Sequence, residues 1–328
     1  MPRPGKHQVT PRLARSGRQT LRDAAHTEVM TLTTARLVDA ARPLHDRLRR
    51  TVAVALRDRV AGEDNAARAA VIWDSPGERW FTPADPIWRV HADAAMFVAG
   101  IRALLLQSLH PLAMAGVAGH SGYKGDPWGR LQRTSNFIAT TTFGTIEDAE
   151  AQIERVRGIH ERVRGKAPDG RTYAANDPHL LKWVHLVETD SFLLTHQRYA
   201  GTPLTPAEAD SYLAQSCVVA TRLGVIDPPT TVAGLEAALE SYRHELEGTP
   251  EARDAARFLL LHPPLPWVAR PGYAALAGAG GALLPLWARR YLALPYLPLA
   301  DRAIMLPLGG AATNVIRWAL KHPREAQH

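Results

Sequence analysis

IEDAEAQIERVRGIHERVRG, residues 146–165, is the stretch on which the reading of this chain turns. Ile153, Val156, His160 and Val163 follow one another at steps of three, four and three, which places all four on one face of a helix. Glu150, Glu154, Arg157, Glu161 and Arg164 form the opposite stripe, a solvated face with charge pairs at helical spacing. A helix sorted in this way keeps imidazole out of its apolar stripe unless a partner receives it, because burying an unpaired ring nitrogen is costly. His160 therefore reads either as a core histidine with an internal partner or as a ligand. The segment is expected to be helical from Ile146 to Gly165.

Helical signals continue on both sides. The basic stretch 35–60 reads as a helix, and 73–86 as an irregular connection punctuated by Pro76, Gly77, Pro83 and Pro86. Residues 88–109 are apolar nearly all round, the pattern of one long central helix, with Arg102 and Gln107 as exceptions and Pro111 closing or kinking it after His110. Trp128 to Phe143 reads as a helix stopped by Gly144. Asp177 with Pro178 forms an N-cap and first-turn pair for a helix to Tyr199, and Thr205 with Glu208 forms a capping box for one ending at Gly224. Further helices are expected over 232–247, 251–261, 273–292 and 311–321. No alternating strand run and no internal repeat is evident, so the predicted class is all-α, with 35–322 as one domain behind a basic tail, 1–34.

Composition sets the frame. The 328 residues suffice for a sizeable core, and 46% hydrophobic with 22% charged residues is ordinary for a soluble globular protein. The net charge of +7 owes much to Arg3, Lys6, Arg12, Arg15, Arg18 and Arg22, which precede the first acid, Asp23. This tail reads as disordered, with contact to anionic lipid or nucleic acid as its alternative; of these, peripheral membrane contact is retained and no nucleic-acid partner is expected. The first residues lack an apolar signal core, which suggests a cytoplasmic protein. Cys217 is the single cysteine, so disulfides and cysteine-ligated clusters are excluded within the chain, and a metal centre must use His, carboxylates or a cofactor. The uncharged run 271–288, broken by Pro285, reads as a buried helix with membrane contact as its alternative.

The common catalytic motifs are missing. There is no G-x-S-x-G, no phosphate-binding loop and no H-E-x-x-H, and Gly278, Gly280 and Gly281 follow no strand. Two constellations remain. Arg130, Arg133, Thr134 and Phe137 share a helix face, setting two guanidinium groups beside a hydroxyl and an aromatic ring. Such a group can address a buried anion, or it can be a solvated face. His160 is matched by a second candidate, His185, on the stripe Leu181, His185, Glu188, Phe192. A neutral imidazole on an apolar helix face is a common proximal ligand for haem iron. The remaining histidines, His110, His120, His179 and His196, read as capping, loop or surface residues.

The ordered segments LLLQSLHPLAMAGVAGHS, DPWGRLQRT, the R-x-x-H of Arg157 to His160, and YAANDPHLLKWVH resemble the catalytic domain shared by rubber oxygenases (latex-clearing proteins) and MpaB-type oxygenases. The resemblance is strongest over 88–199. It implies a globin-like helical domain holding haem b between helices, dioxygen as co-substrate and oxidative cleavage of an isoprenoid double bond. By position, His160 is the implied proximal iron ligand, and Arg130, Arg133 and Thr134 form the implied distal cluster; Phe137, on the same helix face, reads with Arg130 as lining the cofactor. Arg133 departs from the family's lysine, and because a guanidinium keeps its proton a lysine-type iron cap is not implied. The substrate implied is a small unsaturated, lipid-like or isoprenoid molecule. Two other readings fit the same sequence: a haem-binding or haem-sensing protein without turnover, and an apo helical, membrane-associated binding protein.

Overall fold

Six helices begin on an Asp or Thr whose side chain accepts a hydrogen bond from the first-turn backbone: Asp126 from Gly129, Thr145 from Asp148, Asp177 from His179, Thr205 from Glu208, Thr231 from Gly234 and Thr249 from Ala252. Each such cap contributes about 1 kcal/mol and sets the phase of the helix behind it. The structure, a computed structural model, describes residues 46–47, 49–54, 62, 65–120 and 125–320. The predicted tail 1–34 lies outside these, while the described part of the expected helix 35–60, residues 46–47 and 49–54, is helical. The chain divides into two units, Met1–Val52 and Ala53–His328, and everything below concerns the second.

Its elements are α1 (Asn65–Asp74), α2 (Pro86–Ala92), α3 (Met96–Gln107), α4 (Pro111–His120), α5 (Pro127–Phe143), α6 (Ile146–His160), β1 (Arg164–Lys166), β2 (Thr172–Ala174), α7 (Pro178–Tyr199), α8 (Pro206–Leu223), α9 (Val232–Ser241), a 3₁₀ turn (Arg243–Glu245), α10 (Pro250–Leu261), α11 (Arg270–Ala282), α12 (Leu286–Tyr291) and α13 (Leu306–Leu320). The all-α expectation holds, with differences that have local causes. The long helix expected over 88–109 is two, α2 and α3, meeting at 92°. Asp93 makes the break: its backbone is extended, its Oδ1 accepts the Ala95 amide at 2.7 Å, and both its oxygens accept from Arg317 of α13, at 3.1 and 2.9 Å. The run 271–288 likewise splits at Pro285 into α11 and α12, and Pro111 opens α4 rather than merely ending its predecessor.

The stretch after His160, expected to stay helical to Gly165, instead turns into a small antiparallel hairpin in which Arg164 faces Ala174 and Lys166 faces Thr172. Gly170, with φ +89°, closes its turn, and Arg171 pairs with Asp169. No alternation marked these strands because each is only three residues long.

α3 and α7 form the most extensive helix pair. Val98, Leu105, Leu106 and Leu109 pack with Trp183, Leu186, Val187 and Leu193 in the main apolar cluster. Within it sits Arg102, 4% exposed, whose guanidinium donates to Asp190 Oδ2 at 2.6 Å, Ser191 Oγ at 2.7 Å and the Leu283 carbonyl at 3.1 Å. One side chain thereby ties α3, α7 and the end of α11. The glycines of α11 serve packing: a Cβ on Gly280 would press on Ile101 of α3 at 3.1 Å, while Ala279 beside it fills the space that Gly309 of α13 leaves open. The helical stretch Pro298–Leu320 is long and apolar enough to cross a membrane, and 22% of its most apolar window is buried.

Removing one partner of a buried ion pair strands the other, so Arg102→Met is expected to lower unfolding free energy by about 3 kcal/mol. Arg102→Met/Asp190→Leu is expected to recover part of that loss in chemical denaturation. Equal losses in both proteins would show that the charges are not the source.

Candidate functional site

Asp126 and Pro127 start α5, and the phase they set splits the predicted four-residue face. Arg130 is half-buried. Arg133 is turned outward with its side chain 63% exposed and paired to Asp126 at 3.2 Å, and Thr134 is exposed as well. Phe137 is half-buried, and its carbonyl accepts from Thr141. The structure therefore separates the two arginines that the sequence grouped, sending one inward and one to the surface.

The carboxylate whose charge Arg130 feels is that of Glu188, from the middle of α7. Burial pushes the Glu188 carboxyl up to about 7, with Arg130 opposing the shift. Burial, then Arg133, pulls the Arg130 guanidinium down from its ordinary range, and Glu188 pushes it back. The Glu188 charge also reaches Tyr212 of α8, a fully buried phenol raised by burial first and then by Glu188 and Asp190. Beyond Tyr212 lies His91 of α2, whose ring meets Tyr212 and Phe192 edge-on at 5.9 and 5.5 Å and whose Nδ1 is 2.8 Å from Thr142 Oγ1. Burial lowers His91 to about 3.

His185, one turn before Glu188, is lowered to about 4 by burial and by Lys182, and its Nδ1 lies 3.4 Å from Thr189 Oγ1. Arg130, Glu188, His185 and His91 each keep some exposure although burial is the largest influence on each. Groups of that kind mark a candidate site, a recess only in the sense that each is largely desolvated and still touched by solvent.

His160 is the last residue of α6, which packs along α5. Ile153 of its stripe is fully buried and the facing Arg157 and Glu154 form an exposed pair, as the periodicity required. Val163 leaves the helix and joins the hairpin, its carbonyl accepting from Ala175. The His160 ring is half-buried, burial lowers its pKa so that it is neutral at ordinary pH, and its Nδ1 is buried with no hydrogen-bond partner. A neutral imidazole with an unmet ring nitrogen is suited to receive a ligand from outside the protein.

Two members of the recess had no signal in the sequence. Tyr212 lies in a helix of mixed composition, and His91 sits beside the break at Asp93, so neither belongs to a periodic stripe that ties it to Arg130. Glu188 did carry a signal, the His185 to Glu188 spacing, but its electrostatic link to Arg130 joins two different helices.

Compared with known families, residues 88–318 match the family model described as ER-bound oxygenase mpaB/B'/Rubber oxygenase, catalytic domain. No curated protein and no solved structure matches the chain. The matched segment runs from α2 through α13, takes in α5, α6 and α7, and covers most of the sequence, so the chain belongs to the family of the mpaB/B' and rubber oxygenase catalytic domains.

Proposed function

We propose that this chain is a haem b-dependent oxygenase acting with dioxygen on a small unsaturated, lipid-like or isoprenoid substrate. The observation that carries the proposal is His160: a neutral, half-buried imidazole with an orphaned buried Nδ1, on a helix packed against the one that holds Arg130. In a globin-like arrangement, a haem held between helices would take His160 as its iron ligand, with His185 the second choice, and Arg130 and Phe137 beside it. Haem b, when bound, supplies the activation of dioxygen and the oxidation of a carbon–carbon double bond.

The protein's own contribution is electrostatic. Arg130 presents a positive charge from a partly desolvated position, where it acts more strongly on a polarised ligand than it would in water. Glu188, raised to about 7, holds a proton on its carboxyl near neutral pH and is the group placed to deliver or accept one beside Arg130. Tyr212 and His91 extend the polar lining, and the packed rings of Trp88, Phe143 and Trp73 provide an apolar flank next to Thr142. Arg133 and Thr134 stand on the outer side of α5 and act at most on entry.

Wild-type protein supplied with haem is expected to show a Soret band and about one haem b per chain by pyridine haemochrome; His160→Ala should lose it while His185→Ala keeps it. Full occupancy in His160→Ala would overturn the ligand assignment. Arg130→Gln should retain haem yet consume oxygen about 10²-fold more slowly with an unsaturated lipid, and Arg133→Gln should lose less. Haem without oxygen uptake in the wild type would instead identify a haem-binding protein.

Stability offers an independent check on Glu188. Its folded pKa lies above the ordinary 4.5, so the folded state holds the extra proton and stability falls as pH rises from 4.5 to about 7. His91 and His185, lowered by burial, act oppositely below pH 6.5, so the comparison is made as a difference. The melting temperature of Glu188→Gln minus that of wild type should increase over this window and then level off. A flat difference would place Glu188 in water.

A further inference from the structure

Away from the recess, three side chains from distant parts of the chain converge. His110 lies at the α3–α4 junction, His179 in the first turn of α7, and Glu245 in the 3₁₀ turn after α9, with one potential ligand atom from each all within 4.8 Å of one another. Glu245 Oε2 is 2.9 Å from His179 Nε2 and 3.4 Å from His110 Nε2.

His110 is the informative member. It is 1% exposed, and neither ring nitrogen has a hydrogen-bond partner. A fully buried imidazole with both nitrogens unmet is costly, and here Nε2 is aimed at a carboxylate just beyond hydrogen-bond geometry. Something between the two groups would satisfy both.

We infer that His110, His179 and Glu245 form a site for a divalent first-row transition ion, zinc being the best-matched class, held by two imidazoles and one carboxylate with a fourth position open to solvent beside His179. Ligand atoms about 2.0–2.1 Å from a tetrahedral zinc lie about 3.3 Å apart. The observed separations, from 2.9 Å to at most 4.8 Å, bracket that value, so closure needs only small side-chain movement. The surroundings are already organised: Tyr242 stacks on the His179 ring at 4.5 Å, donates to the His179 carbonyl at 2.9 Å and sets its hydroxyl 3.3 Å from Nδ1. The Glu247 amide donates to the Leu109 carbonyl at 2.8 Å, fixing the Glu245 segment beside His110. Outer contacts of this sort orient metal-binding histidines. His244, 3.8 Å from Glu245 Oε1, is largely exposed. The ion would staple three segments whose only covalent connections are long, and it is independent of any haem at His160.

The test uses the full chain without an affinity tag, stripped with a chelator and titrated with zinc sulfate against a competing zinc dye. Expected are one zinc per chain, a zinc-dependent rise in melting temperature, and loss of both in His179→Ala and Glu245→Gln. His160→Ala should bind zinc normally. Tyr242→Phe should weaken binding about tenfold. His179 is half exposed, so its variant is expected to fold, and circular dichroism checks this. The site is overturned if wild-type protein binds no zinc, or if folded His179→Ala binds it as tightly and melts with the same zinc-induced shift.

Discussion

A guanidinium buried among leucines has to be answered by a carboxylate, and Arg102 is answered by Asp190 from the helix that the rest of the molecule uses. Removing both charges from water is expensive, and the pair is tolerable because Ser191 and the Leu283 carbonyl take further donor hydrogens. Its consequence is positional. With Asp190 paired to Arg102, the position of α7 against α3 is constrained, and what α7 carries is placed with it.

α7 carries a great deal. Its first turn delivers His179 to His110 and Glu245; its middle turns put Trp183, Leu186 and Val187 into the core and His185 and Glu188 into the recess. The same helix therefore supports the shared core, the proposed oxygenase recess and the proposed cation site at successive heights. A helix rising about 1.5 Å per residue separates His179 from Glu188 by about 13 Å along its axis, enough for two sites that do not share ligands.

Burial without full closure governs the chemistry of the recess. It keeps His91 and His185 unprotonated at ordinary pH and Glu188 near the middle of its titration, while Arg130 keeps its charge because a guanidinium hardly yields its proton. A cation beside a carboxyl that titrates near neutrality, with neutral imidazoles nearby, is the kind of grouping in which functional sites are found. This supports the oxygenase reading of the family to which the chain belongs. It also shifts the weight of the site from the arginine pair to Arg130 with Glu188.

The helices were legible because their signals are local. A Thr205 that bonds three residues ahead, an Asp177 before Pro178, or an apolar step from Ile153 to Val156 involves no more than one turn of chain, and each reappears in the structure. The ordered segments that carry the family resemblance were legible for the same reason, and the match over 88–318 agrees with them. What tertiary structure alone decided are the outcomes of contacts between distant residues. Asp93, at the break between two helices, is paired by Arg317 from far along the chain, and the Glu188 carboxyl is pushed up by burial against the opposing charge of Arg130. His110, His179 and Glu245, ordinary residues in their own segments, become a cluster only when three chain segments meet. Caps and periodicity are energies of neighbours along the chain, whereas desolvation and convergence depend on which surfaces the fold brings together.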